Sequence, residues 1–217
     1  MENGSGSGEV LPEEDAVYDF QISFMKNEKD NTPILSFKTP KEWEKWLAKN
    51  WDTSKAVWLQ LYKKGSGIPS INHAEALELC LCYGWIDGRA NKYDEASYLQ
   101  RFTPRQPKSL WSKKNIDNVT RLIASGKMKP GGLREIEAAK ADGRWNAAYD
   151  SPSNMEVPKD FLKELSKNKK AKKFFQTLNK TNTYAITWRL QTAKKTATRE
   201  KRMKIIIEML SKEEKFH

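Results

Sequence analysis

Residues 72–83 constrain this chain more than any other stretch. Asn72 and Glu75 have the spacing of a helix N-terminal cap pair. The run behind them, residues 74–83, is apolar nearly all round, with only Glu75 and Glu78 interrupting it. A helix of that kind has no face to give to water, so other elements must enclose it. Gly84 follows where the end of a helix calls for positive φ. The chain then reverses through Trp85-Ile86-Asp87-Gly88 and re-emerges as residues 96–102, a strand expected to form a hairpin beside an earlier one.

That earlier strand is residues 56–63, where Val57, Leu59 and Leu61 alternate with Trp58 and Tyr62, so both faces are expected to be covered. In front of it, Thr39-Pro40-Lys41-Glu42 is a capping box with proline at the first helical position, and Trp43, Trp46 and Leu47 share one helical face. Beyond the hairpin, Ser112 opens a helix with Ile116, Val119 and Ile123 in register, closed by Gly126. A further helix over 131–141 is closed by Gly143. Past Ser151-Pro152-Ser153-Asn154 come four short helices, at 158–166, 169–178, 182–193 and 197–211. Their expected core faces are Phe161/Leu162/Leu165, Phe174/Phe175/Leu178, Tyr184/Trp188 and Met203/Ile206/Ile207/Leu210.

The expected class is therefore α+β and mainly helical: a small antiparallel sheet packed on helices, plus a C-terminal helical module. The expected organisation is a lead-in over 1–35, an α+β domain over 36–150, a linker over 151–156 and a basic module over 157–217. Within the lead-in, residues 1–8 read as a flexible tail and residues 18–24 as a short strand or docking segment.

Composition narrows the function classes. No window approaches the roughly 18 consecutive apolar residues of a membrane helix, and the Gly/Ser-rich, then acidic start lacks the basic and apolar run of a secretory signal, which points to the cytoplasm. With only His73 and His217 there is no zinc-spaced ligand cluster and no Ser/His/Asp or Cys/His set, so neither metal nor cofactor is expected. Cys80 and Cys82 are two apart on one helix, diverge, and read as reduced core residues. Residues 156–217 carry 17 Lys and Arg against 7 Asp and Glu, nearly the whole of the chain's +11. Such a module either faces nucleic acid, anionic lipid or an acidic protein, or is a solvated lysine surface.

The densest polar set lies after the buried helix. Asp87, between Ile86 and Gly88, is placed either to pair with Arg101 or Arg105 and order the loop, or to act as acid or base. Arg101, Thr103 and Arg105, with Lys108, Lys113 and Lys114 nearby and no acid from 101 to 114, suit an anion, and Trp85 and Trp111 offer stacking surface. The Lys63-Lys64-Gly65-Ser66-Gly67 turn can add two ammonium groups and backbone N–H donors, though it lacks P-loop spacing. Asp87, Asp94 and Glu95 can be drawn as glycosidase-style carboxylates, but their spacing gives no support. In the C-terminal module Lys195, Arg199 and Arg202 form a basic face able to clasp a neighbouring helix or an external anion.

Several of these segments together resemble the YdeI/OmpD-associated family: Trp46-Leu47, Val57-Trp58-Leu59, Glu75-Ala76-Leu77, Cys82-Tyr83-Gly84-Trp85-Ile86-Asp87-Gly88, Arg101-Phe102-Thr103-Pro104-Arg105, Leu110-Trp111-Ser112 and Gly143-Arg144-Trp145. The C-terminal part, ending in Ala193-Lys194-Lys195 and Thr198-Arg199 with Arg202-Met203, resembles that family's bacteriocin-protection module. Lys127 and Thr196 stand where the family often has arginine and proline. The resemblance spans residues 36–212. It implies a bacterial protein linked to protection against bacteriocins or to envelope stress, with no established catalytic residues to carry over. The expected function is a cytoplasmic protection or stress protein that binds an unknown anionic small molecule or acidic protein and performs no chemistry. The alternatives are sequence-nonspecific nucleic-acid binding through the C-terminal helices and an enzyme with Asp87 as acid or base.

Overall fold

The computed structural model describes residues 31–151 and 153–217, so the tail and the 18–24 segment of the lead-in lie outside the described residues. In chain order the elements are β1 (Ile34–Leu35), α1 (Pro40–Asn50), β2 (Val57–Tyr62), α2 (His73–Cys82), β3 (Trp85–Lys92), β4 (Ser97–Pro104), α3 (Lys113–Ala124), α4 (Pro130–Ala141), α5 (Lys159–Ser166), α6 (Lys169–Phe175), α7 (Lys180–Gln191) and α8 (Thr196–Ser211). The class is α+β with a helical C-terminal part, as the periodicities indicate.

The strand order is β1-β2-β4-β3. β2–β4 and β4–β3 are antiparallel, while the two-residue β1 adds a parallel edge beside Trp58 and Leu59. Two residues have no alternation to read, which is why the sequence shows only the antiparallel part. Trp85-Ile86-Asp87 is the start of β3, not a reversing loop, and the register shifts in a bulge between Asp87 and Ala90. Gly88 falls inside that bulge, where a missing side chain is tolerated.

α2 is enclosed as its composition requires. Asn72 and Glu75 complete a reciprocal capping box, and Ala76, Leu77, Cys80, Leu81 and Cys82 are all buried. Around them pack Trp43 and Leu47 of α1, the inward face of β2 and Phe102 of β4. The Trp43 indole donates to the Ala76 carbonyl at 3.2 Å, so this large side chain is buried with its polar atom satisfied. Gly84, at φ +81°, ends the helix and lets the Gly131 backbone pass so close that a Cβ would lie 2.7 Å from its carbonyl oxygen. α4 thus starts in direct backbone contact with the end of α2, and Lys129 N donates to Cys82 O at 3.1 Å.

A second, separate core joins the C-terminal helices through Phe161, Leu165, Ala171, Ile186, Leu190, Met203, Ile206 and Leu210. In α7 the buried face is Ala185, Ile186 and Leu190, with Tyr184 and Trp188 only half-buried, a rotation from the expected stripe. In α3 Leu122 is buried and Ile123 is exposed, the same kind of shift. The two parts meet where Gln191 Nε2 donates to Asp150 at 2.6 Å and Tyr149 stands edge-on to Trp188 at 6.0 Å. No described helix is long and apolar enough to cross a membrane.

Candidate functional site

The sheet separates the residues that the sequence groups together. Asp87 pairs with Phe102, whose ring lies in the core on the α1–α2 side, and alternation sends Arg101 and Thr103 to the other face, with Trp58 and Leu99. Lys63 sits at the far end of the hairpin: its N–H donates to Ala96 O, whereas the Arg105 N–H donates to Gly84 O. The eight residues of β4 lie between them, ~25 Å of strand. Lys63, Lys64 and Arg105 therefore cannot grip one small ligand, which corrects the single constellation expected. Lys63 Nζ is already used by the Glu95 carbonyl at 2.8 Å.

Trp85 is also corrected. It is 0% exposed, donates its indole N–H to Trp51 O at 2.8 Å and meets the Trp46 ring edge-on, so it closes the core and offers no stacking surface. Asp87 hydrogen-bonds neither expected arginine. Its carboxylate Oδ2 lies 3.1 Å from His73 Nε2, and the His73 ring stacks on Phe102 at 6.3 Å between centroids. Both side chains keep partial access to solvent, 37% for His73 and 28% for Asp87. A carboxylate that orients an imidazole in this way can hold or pass a proton. Sequence spacing gave no sign of it, because the pair is assembled across α2 and β3.

Arg105 holds the most unusual environment. Pro104 ends β4, and the following turn is held by Gln106 N to Ser109 Oγ at 2.9 Å and Ser109 N to Gln106 O at 2.8 Å. That turn folds the Arg105 side chain back onto Trp111, with the guanidinium carbon 3.6 Å from the ring centroid. The residue is only 5% exposed. Nη1 donates to Leu110 O at 3.2 Å. Nε, Nη2 and the Trp111 indole Nε1 are buried with no hydrogen-bond partner among the described residues. Burial pulls the Arg105 pKa down to about 10; Tyr149, Glu135 and Asp87 lie near enough to oppose this, and Arg144 adds to it.

A strap over 143–151 covers this stack. Tyr149 N donates to Trp111 O at 3.0 Å and Lys113 N to Tyr149 O at 2.9 Å. Trp145 packs on Trp111 at 5.2 Å. Arg144, itself buried, reaches Ser109 O at 3.0 Å while its Nε is held by Asp142 at 2.6 Å. Burial and nearby Asp87 raise the Tyr149 pKa, with Arg105 and the Ser112 hydroxyl pulling the other way. Arg144, Tyr149 and Trp145 belong to the site, although the sequence marks Arg144 and Trp145 only as part of a motif.

The C-terminal arginines serve the fold. Arg199 grips both oxygens of Asp160, at 2.9 and 2.8 Å, and donates to Leu190 O; Arg202 donates to Arg189 O at 2.6 Å. Of the expected basic face only exposed Lys195 points to solvent, at the N-terminus of α8. Among the described residues no group of His, Cys, Asp and Glu could hold a metal ion.

Fold and site thus define an α+β layer followed by a helical C-terminal part that meets the strap through Gln191 and Trp188. Residues 154–213 match the family model described as Bacteriocin-protection, YdeI or OmpD-Associated, so the C-terminal part of the chain is similar to that family. Residues 35–135 match a different model, described as a domain of unknown function (DUF8412). The family resemblance drawn over 36–212 is therefore shown for its C-terminal part. No curated protein and no solved structure matches the chain.

Proposed function

We propose that this is a cytoplasmic, bacteriocin-protection or stress-type protein that acts by binding a small anion at the Arg105–Trp111 stack. One observation carries the reading: three N–H donors, one group of them cationic, are buried together without an acceptor. A buried donor left unpaired costs about 1–3 kcal/mol, more when charged, so such a cluster is retained where an acceptor completes it. An anionic, acceptor-only ligand is the chemical complement. In this reading 36–150 is the ligand-binding domain and 157–217 a second domain, joined by 151–156.

The test is a thermal-shift series with phosphate, sulfate and acetate at fixed ionic strength. An anion that binds only the native protein adds about 2.7 kcal/mol at a hundred times its Kd, which for a chain of this size raises Tm by roughly 5–10 °C. No shift from any of the three in the wild type, or equal shifts in wild type and Arg105→Lys, refutes the site.

The geometry of His73 and Asp87 favours a second reading, a proton-transfer site on the same domain. In it His73→Gln abolishes turnover without changing Tm, whereas under anion binding alone there is no turnover to lose.

A further inference from the structure

The anion reading leaves open which anion the stack takes, and the shape and charge around Arg105 narrow it. We propose that the site is selective for a small monocarboxylate, held side-on by Arg105 Nε–H and Nη2–H, with the strap that carries Tyr149 as the element that opens to admit it.

The first support is which nitrogens are in use. Leu110 O occupies Nη1, and the face of the guanidinium lies on Trp111. The two nitrogens left, Nε and Nη2, share one edge of the planar group, where their N–H bonds run parallel. That edge matches the two oxygens of a carboxylate, which accept both bonds at once. Trp111 Nε1–H is a third donor on the same stack. A carboxylate oxygen keeps a second lone pair after the fork is satisfied, so a third donor can also be used.

The second support is the charge balance. The neighbouring cations are committed: Arg144 to Asp142 at 2.6 Å and Lys113 to Asp150 at 2.7 Å. Arg105 thus contributes a single positive charge that no carboxylate hydrogen-bonds. Two acids, Asp87 and Glu135, are close enough to act on it electrostatically, and Glu135 is itself largely covered and packs against Gly84. A monoanion neutralises Arg105, whereas a phosphate dianion brings an excess negative charge beside two carboxylates in a site with little water to screen it.

The third support is the cover. All three unpaired nitrogens are closed to solvent, so a ligand must displace something. The strap is attached to the Arg105 turn by the Tyr149 N–H to Trp111 O bond, the Lys113 N–H to Tyr149 O bond and the Arg144 reach to Ser109 O. A flat carboxylate requires less displacement than a tetrahedral oxyanion. Tyr149 and Asp150 also contact Trp188 and Gln191 of α7, so lifting the strap loosens the seat of the C-terminal domain.

This inference rests on the anion reading, and one experiment on the full chain separates the two. Calorimetric titrations with sodium acetate and sodium benzoate are compared with phosphate and sulfate at constant ionic strength, and the Arg105 Nε–H and Trp111 Nε1–H resonances are followed by nitrogen-15 NMR. The expected result is saturable acetate binding that moves both resonances, phosphate and sulfate at least about tenfold weaker, and an Arg105→Lys variant weakened on the order of tenfold or more, since it keeps the charge and loses the fork. Phosphate or sulfate binding as tightly as acetate while moving both resonances overturns the carboxylate selectivity and leaves the anion reading standing. Failure of every anion to move the Arg105 resonance overturns both. If Arg105→Lys does not fold, the wild-type resonances alone decide.

Discussion

Gly132→Ala is the sharpest test of how the site is scaffolded. Gly132 lies in the first turn of α4 without positive φ, so helix propensity by itself favours alanine by about 1 kcal/mol. Its added Cβ would sit 2.3 Å from Cys82 O, 2.7 Å from Leu81 O and 2.6 Å from Met128 Cε. The methionine can swing away, but the two carbonyls belong to the last turn of α2 and cannot. Relief requires α4 to move off α2 by about 1 Å, at an overpacking cost near the upper end of the usual 1–3 kcal/mol or somewhat beyond it. The net expectation is a loss of ~2–3 kcal/mol, or roughly 5–10 °C in Tm, read by far-ultraviolet circular dichroism on heating. Because Gly84 O holds the Arg105 backbone at 2.9 Å, the same shift should weaken anion binding. A variant as stable as wild type, or more stable, refutes the backbone contact between α2 and α4 on which the turn at Arg105 depends.

Other expectations follow from the same contacts. Arg199→Ala removes the fork onto Asp160 and the bond to Leu190 O, and is expected to lower stability by about 1–2 kcal/mol in urea titrations, because Asp160 is half exposed and water screens the pair. Asp150, held down by Lys113 and Gln191, and Asp160, held down by Arg199, both have folded pKa values below the ordinary one. Their contribution is complete above the unfolded value of about 4 and is lost as pH falls through the folded values. Tm should thus be nearly flat from pH 7 to 5 and drop below 4, with a shallower drop in Asp160→Asn. Burial raises Cys80 well above the usual thiol range and Cys82 to about 11; a thiol reagent at pH 8 should label neither at an appreciable rate until denaturant is added.

The sequence was most legible where one signal has one local cause. Thr39-Pro40 and Asn72 with Glu75 placed the starts of α1 and α2, and Gly84 the end of α2, because caps depend on a few adjacent residues. The pairing of β4 with β2 is legible in the sequence, whereas β3 reads as a reversal because Gly88 and the bulge interrupt its pattern. The site was legible only in its central residues. Arg105 and Trp111 stand out by composition, yet their stacking depends on the turn at 106–109 and on a strap more than thirty residues later. Lys63 and Lys64 look like part of the same site because they are basic and near a strand end, and only the register shows that it is the opposite end. His73 carries no signal for the converse reason: its partner Asp87 lies on another element, and no spacing rule links a helix start to the strand that passes it.

The most direct measurement is a crystal structure of the protein grown with sodium acetate, compared with one grown in chloride alone. The account expects two oxygens of one carboxylate at about 2.7–2.9 Å from Arg105 Nε and Nη2, with the strap at Trp145 and Tyr149 shifted relative to the chloride form. Arg105 Nε and Nη2 packed against carbon in both crystals, with the strap in place and acetate elsewhere or nowhere, would contradict it.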